Sequence, residues 1–191
     1  MDLIENVGRR SRVGGDNGDF INVGVFSLNG YERNALYENM GDLQFSNVAY
    51  ERGCDRVEDG RGLAIFDFDR DGDLDLVMNN YKGAATLLVN HAAPETHWIE
   101  VRLTGQASNR GAIGARVTIE HDGKRQVREV ISAAGYLSGQ TLDLHFGLGP
   151  SEFVDVLRID WPSGLKQEFK DVPSNKFYRI VEGADPSVAR L

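Results

Sequence analysis

At 191 residues the chain has room for one domain or two small ones, and its 41% hydrophobic and 26% charged residues are ordinary for a globular protein. A net charge of −8 argues against nucleic acid or an anionic membrane as partner, because phosphate binding needs basic patches. The single cysteine, Cys54, excludes an intrachain disulfide, and no run approaches the ~20 apolar residues of a membrane-spanning helix.

The N-terminus, Met1-Asp2-Leu3-Ile4-Glu5-Asn6, has neither a basic n-region nor an apolar h-region. Twenty-two glycines against five prolines, with many short apolar runs, predict an all-β protein built on tight turns. The nearest helical candidate, residues 47–57, is short and poorly patterned. An internal repeat appears at an offset of 51 residues: Asn39 aligns with Asn90, Leu36-Tyr37 with Leu87-Leu88, and Val23, Val25 and Phe26 with Leu74, Leu76 and Val77. The first copy predicts strands at 22–28, 34–39 and 45–50, joined by turns at Asn29-Gly30 and Gly41-Asp42. A period near fifty residues is that of a β-propeller blade.

The second copy predicts strands at 62–67, 74–79 and 86–90, with a hairpin at Tyr81-Lys82-Gly83-Ala84. Between its first two strands lies Asp67-Phe68-Asp69-Arg70-Asp71-Gly72-Asp73-Leu74-Asp75. If the backbone curls at Gly72, the side chains of Asp67, Asp69, Asp71 and Asp75 point at one centre, and the Asp73 carbonyl adds an oxygen. A hard cation taking six to eight oxygens at about 2.3–2.6 Å fits such a loop, so calcium is the expected ion. Without a cation, the converging carboxylates repel one another. The loop is not an EF-hand, whose twelfth position is a bidentate glutamate; Met78 stands there, and the flanks read as strands. In the first copy Asp16 falls on Asp67, but Gly18, Phe20 and Gly24 replace Asp69, Asp71 and Asp75, so that metal site is lost.

Two blades cannot close a propeller and leave edges and an apolar face to be covered by the second domain, by another chain, or by more of the same protein. The stretch Ala92-Ala93-Pro94-Glu95-Thr96 marks a boundary, placing blades over 1–91, a second domain over 97–183 and a tail over 184–191. Seven strands are expected in the second domain, from His97-Trp98-Ile99-Glu100-Val101-Arg102-Leu103 to residues 177–181, with Asp122-Gly123 and Pro162-Ser163-Gly164 as turns. Seven short strands with tight turns read as a β-sandwich with Greek-key connections.

Gly62-Leu63-Ala64-Ile65-Phe66 and the aspartate loop with Leu76-Val77 resemble the FG-GAP/VCBS repeat, the calcium-binding blade of integrin-α-like propellers. Ser108-Asn109-Arg110, Gly114-Ala115-Arg116-Val117, Gly135-Tyr136-Leu137-Ser138, Leu144-His145-Phe146-Gly147-Leu148-Gly149, Trp161-Pro162-Ser163-Gly164 and Asp171-Val172-Pro173-Ser174-Asn175 resemble, in order, an ASPIC/UnbV domain. The combination is similar to the C-terminal portion of the cartilage-acidic-protein-like (CRTAC-type) family. That resemblance implies an extracellular, periplasmic or cell-surface calcium-binding protein. It also carries metal ligation to Asp67, Asp69, Asp71, Asp73 and Asp75, and brings no catalytic residue.

The function expected is a non-enzymatic adhesion or interaction module whose ion rigidifies the blade, with a protein or carbohydrate ligand. Two other readings stand beside it: an enzyme or accessory factor of secondary metabolism, for which no converging acid–base group is visible, and a self-assembling homo-oligomeric subunit. Two polar, glycine-rich loops offer a ligand surface, with Arg110, Tyr136 and Gln140 as contacts. His91, His97, His121 and His145 lack ligand spacing and read as surface or structural, with His145 opening a turn at Phe146 to Gly149. Trp98 and Trp161 read as core.

Overall fold

The computed structural model describes residues 32–91, 96–136 and 138–188. The expected strand 22–28, the Asn29-Gly30 turn, Asp16 and residues 92–95 of the boundary stretch lie outside the described residues. Every described element is a strand, so the chain is all-β.

The first copy contributes a two-stranded ribbon, β1 (Tyr37–Gly41) and β2 (Gln44–Asn47), turning through Gly41, Asp42 and Leu43, all at positive φ. After β2 ends at Asn47, residues 48–57 form a turn and irregular backbone, not a helix, closed by the backbone bonds from Arg52 N to Val48 O and from Cys54 N to Ala49 O. The second copy forms an antiparallel sheet of β3 (Gly60–Phe66), β4 (Asp75–Asn80) and β5 (Thr86–Leu88), in the order β3-β4-β5. Lys82, at φ 54°, makes the β4–β5 turn where the hairpin is expected.

Two four-stranded sheets follow and pack face to face. One has the order β11-β10-β7-β8, from β7 (Arg116–His121), β8 (Lys124–Glu129), β10 (Phe153–Asp160) and β11 (Lys166–Pro173). The other has the order β13-β12-β6-β9, from β6 (His97–Thr104), β9 (Asp143–Gly149), β12 (Lys176–Val181) and β13 (Ser187–Val188). The chain changes sheet between β6 and β7, β8 and β9, β9 and β10, and β11 and β12, and β12 runs parallel to β6. Asp122 and Gly123 are both left-handed, as a two-residue hairpin needs to match strand twist. The period-two alternation in β6 sends Ile99, Val101 and Leu103 inward, beside Phe146 of the neighbouring β9 and into one core with Val117, Ile119, Leu157 and Ile159 of the facing sheet. Each such side chain, fully buried, contributes about 1.5–3 kcal/mol. Trp161 is in this core as expected.

Two expectations change. Phe146 to Gly149 is not a turn but the second half of β9, paired with β6. Trp98 is not in the sandwich core: it lies on the outer face of β6, where the blade sheet's loop reaches it. The exposed edge of β3 is closed from the sandwich side. Leu63 N donates to Ser138 Oγ at 2.9 Å and Ile65 N to Gln140 Oε1 at 3.0 Å, while Gln140 Nε2 donates to Leu63 O at 2.9 Å. The Gln140 amide thus offers an edge strand the acceptor and donor that a neighbouring strand would, which removes an aggregation-prone edge.

Candidate metal centre

The aspartate loop joins β3 to β4 and curls through two left-handed residues, Arg70 (φ 63°) and Gly72 (φ 99°). Asp75, the first residue of β4, is fully buried, and both its oxygens are fixed by the backbone: Oδ2 accepts from Phe68 N at 2.7 Å and Oδ1 from Asn90 N at 2.8 Å. Asp67 Oδ2 accepts from Gly72 N at 3.0 Å, while Asp67 Oδ1 is buried with no hydrogen-bond partner. One oxygen each from Asp67, Asp69 and Asp75 lie within 4.8 Å of one another. Asp71 Oδ1 instead takes Asp73 N at 2.9 Å, and Asp71 groups with Asp69 and His91. Of the five aspartates expected as ligands, three converge, Asp71 stands one step out beside Asp69, and the Asp73 side chain joins neither group. His91, which spacing alone did not mark, is the added candidate; only the fold brings it beside Asp69.

The donor set fits a hard divalent cation. All three converging ligands are carboxylate oxygens, and a buried carboxylate oxygen without a donor is costly unless something positive meets it. Burial raises the Asp67 pKa, Gly72 N and Arg70 N lower it, and the charges of Asp71 and Asp69 raise it again, leaving it above the ordinary value. A cation at the convergence point would offset the negative charges that push it up. Calcium at this site would tie the end of β3 to the start of β4 through Asp67, Asp69 and Asp75.

The loop is also seated on the sandwich. Gly72 is buried, and a Cβ built there would overlap the Trp98 indole, so both its φ and its surroundings require glycine. Trp98 stacks on His145 with ring centroids 6.2 Å apart, and His145 Nε2 donates to Gly72 O at 2.7 Å. His145 is therefore structural and bonded to backbone, across the joint and not within a turn. His121 is buried beside Gln126, and His97 Nδ1 lies 2.8 Å from Asn175 Nδ2.

The two glycine-rich loops do not form one surface. Tyr136 and Gln140 line a cavity beside β3, Gln140 is committed to the β3 edge, and Arg110 lies outside that cavity. Ser108 belongs to a different device. The buried Glu182 accepts from Gln106 N at 2.7 Å, Ser108 N at 2.8 Å, Ser108 Oγ at 2.9 Å and Ser163 Oγ. Burial works against its charge, but these hydrogen bonds outweigh it and hold the carboxyl down to about 2.

A blade sheet with an aspartate loop, docked on an eight-stranded sandwich, defines the class. Residues 22–78 match the FG-GAP-like repeat and residues 105–187 match the family described as ASPIC and UnbV. The chain carries an FG-GAP-like repeat followed by an ASPIC and UnbV domain. It is 39% identical to cartilage acidic protein 1 of Xenopus tropicalis over 66 residues, which cover 34% of this chain and 10% of that protein. The human protein of that name is 40% identical over 60 residues (31% of this chain, 9% of the relative), and the mouse protein 36% over 70 residues (36% and 11%). The matched stretch thus spans about a tenth of these relatives. Among the described residues no helix is long and apolar enough to cross a membrane.

Proposed function

We propose that the protein is a calcium-stabilised interaction module of an extracellular or surface setting, in which the ion clamps the blade loop and the loop clamps the blade to the sandwich. The observation that carries this reading is the orphaned, buried Asp67 Oδ1 beside oxygens of Asp69 and Asp75. Partly exposed ligands and a surface loop match the weaker class of calcium sites, with Kd of about 10⁻⁴–10⁻³ M, which fill only where calcium is millimolar. The chain's own residues set the assembly order: Asp75 is held by the backbone, Asp67 supplies the unsatisfied oxygen, and Gly72 transmits the loop's position to Trp98.

Trp98 provides the test. Of the two tryptophans, Trp161 is buried in the sandwich and Trp98 lies against the loop. Titrating calcium into chelator-treated protein should change Trp98 emission saturably, with magnesium much less effective because it needs a tighter octahedron. Asp69→Ala should abolish the change, and Asp71→Ala should weaken it. An emission signal indifferent to calcium would sink the reading.

A further inference from the structure

The outer face of the sheet β13-β12-β6-β9 carries Trp98, Glu100, Arg102 and Thr104 at period two along β6, with Phe177 beside Glu100 and Arg179 beside Arg102 on β12. Where the aspartate loop lies over this face there is a cleft of about 540 Å³. That volume is within the range of small-molecule sites. Its charges sort themselves. Arg102 is paired with Asp143 at 2.9 Å, whose other oxygen accepts from Thr141 Oγ1 at 2.6 Å, and Asp67 belongs to the metal centre. Among the described residues this leaves the guanidinium groups of Arg70 and Arg179 with no ion pair, and Glu100, 6% exposed, with no side-chain hydrogen bond. A buried carboxyl facing a cavity without a donor costs free energy, and burial, with the charges of Asp143 and Asp67, pushes Glu100 up to about 7. Hydroxyl groups from a ligand would satisfy it.

We propose that this cleft binds an acidic sugar, with Arg179 and Arg70 taking the ligand carboxylate and Glu100 accepting from its ring hydroxyls. Two unpaired guanidinium groups against one carboxyl suit a ligand with one negative charge, not a polyanion. Thr104 and Thr141 add hydroxyl partners, and Phe177 offers an apolar face for a sugar ring. An extended acidic peptide is disfavoured because the neighbouring edge of β3, where a strand would add, is already occupied by Ser138 and Gln140. The proposal deepens the interaction-module reading, on which its biological setting rests.

The experiment is calorimetric titration of the full chain in millimolar calcium with cellobiouronic acid, against neutral cellobiose of the same length. The acidic disaccharide should bind saturably, and cellobiose at least tenfold more weakly. Arg179→Ala should lose at least tenfold for the acidic sugar. Arg179 is exposed, so that variant should fold, and Arg179→Lys should retain part of the affinity. Glu100→Gln should weaken both sugars. Equal binding of the two sugars, undiminished binding by Arg179→Ala, tighter binding of an Asp-rich tetrapeptide, or no saturable heat with the acidic sugar would each overturn the proposal. Repeating the titration in EGTA separates the two readings: sugar binding that persists while Trp98 ignores calcium leaves the cleft and removes the metal centre.

Discussion

Two carboxylates in this chain are held in opposite directions. Asp67 is half-buried, with its Oδ1 enclosed and without a donor, so its charge disfavours the folded state when no cation is bound. Asp67→Asn keeps an acceptor for Gly72 N and removes the charge. It should raise the calcium-free melting temperature and abolish the calcium-dependent rise, and differential scanning calorimetry of both proteins in EGTA and in calcium checks this. Glu182 works the other way. Its carboxyl is at about 2 in the folded state against an ordinary value of 4.5, so in that window the unfolded chain binds the proton more tightly. Its contribution to stability is complete above about pH 4.5 and is lost as pH falls towards 2. Urea midpoints of parent and Glu182→Gln should differ widely at pH 7 and converge near pH 2. Gly72 is constrained twice, by a φ of 99° and by the Trp98 indole. Gly72→Ala should cost at least about 2 kcal/mol, roughly 4–8 °C for a chain of this size, and should perturb Trp98 emission.

At the level of elements, β3 depends on a side chain for its outer hydrogen bonds. Gln140→Ala removes the acceptor for Ile65 N and the donor to Leu63 O, and should speed amide exchange at Ile65 much more than in β6. Equal protection at Ile65 in parent and variant would contradict this role. The strands themselves were legible because alternation, Asp-Gly and Pro-Ser-Gly turns are local signals. What local signals could not give was where an element's second face goes. Trp98 has the pattern of any core aromatic, and only the arrival of Gly72 from 26 positions upstream puts it at a joint. The same blindness made Gln140 look like a ligand contact: nothing in a polar, glycine-rich loop says that it will serve as a substitute strand. In the aspartate loop, spacing named the carboxylates, but their division into a converging trio and an outlying Asp71 depends on which backbone amides reach which oxygens.

Across the whole molecule, the aspartate loop shares with the Ser138 and Gln140 bonds to β3 the task of joining the two β units. It ends β3, starts β4, packs Gly72 under Trp98, bonds His145 and overhangs the Glu100 cleft. Ordering it should therefore stabilise the joint as well as the blade sheet. The repeat at 51 residues and the change of texture after residue 91 made this two-part organisation readable, while the docking of one part on the other was not. The most direct measurement is thermal unfolding of the full chain after EGTA treatment and again with millimolar calcium restored. Millimolar calcium, about one- to tenfold over a Kd of ~10⁻⁴–10⁻³ M, should add about 0.4–1.4 kcal/mol, raising the melting temperature by roughly 1–6 °C, reversibly on chelation. An unchanged melting temperature, with the parent behaving as Asp69→Ala does, would mean that the converging carboxylates hold no ion and that the joint stands on packing and its hydrogen bonds alone.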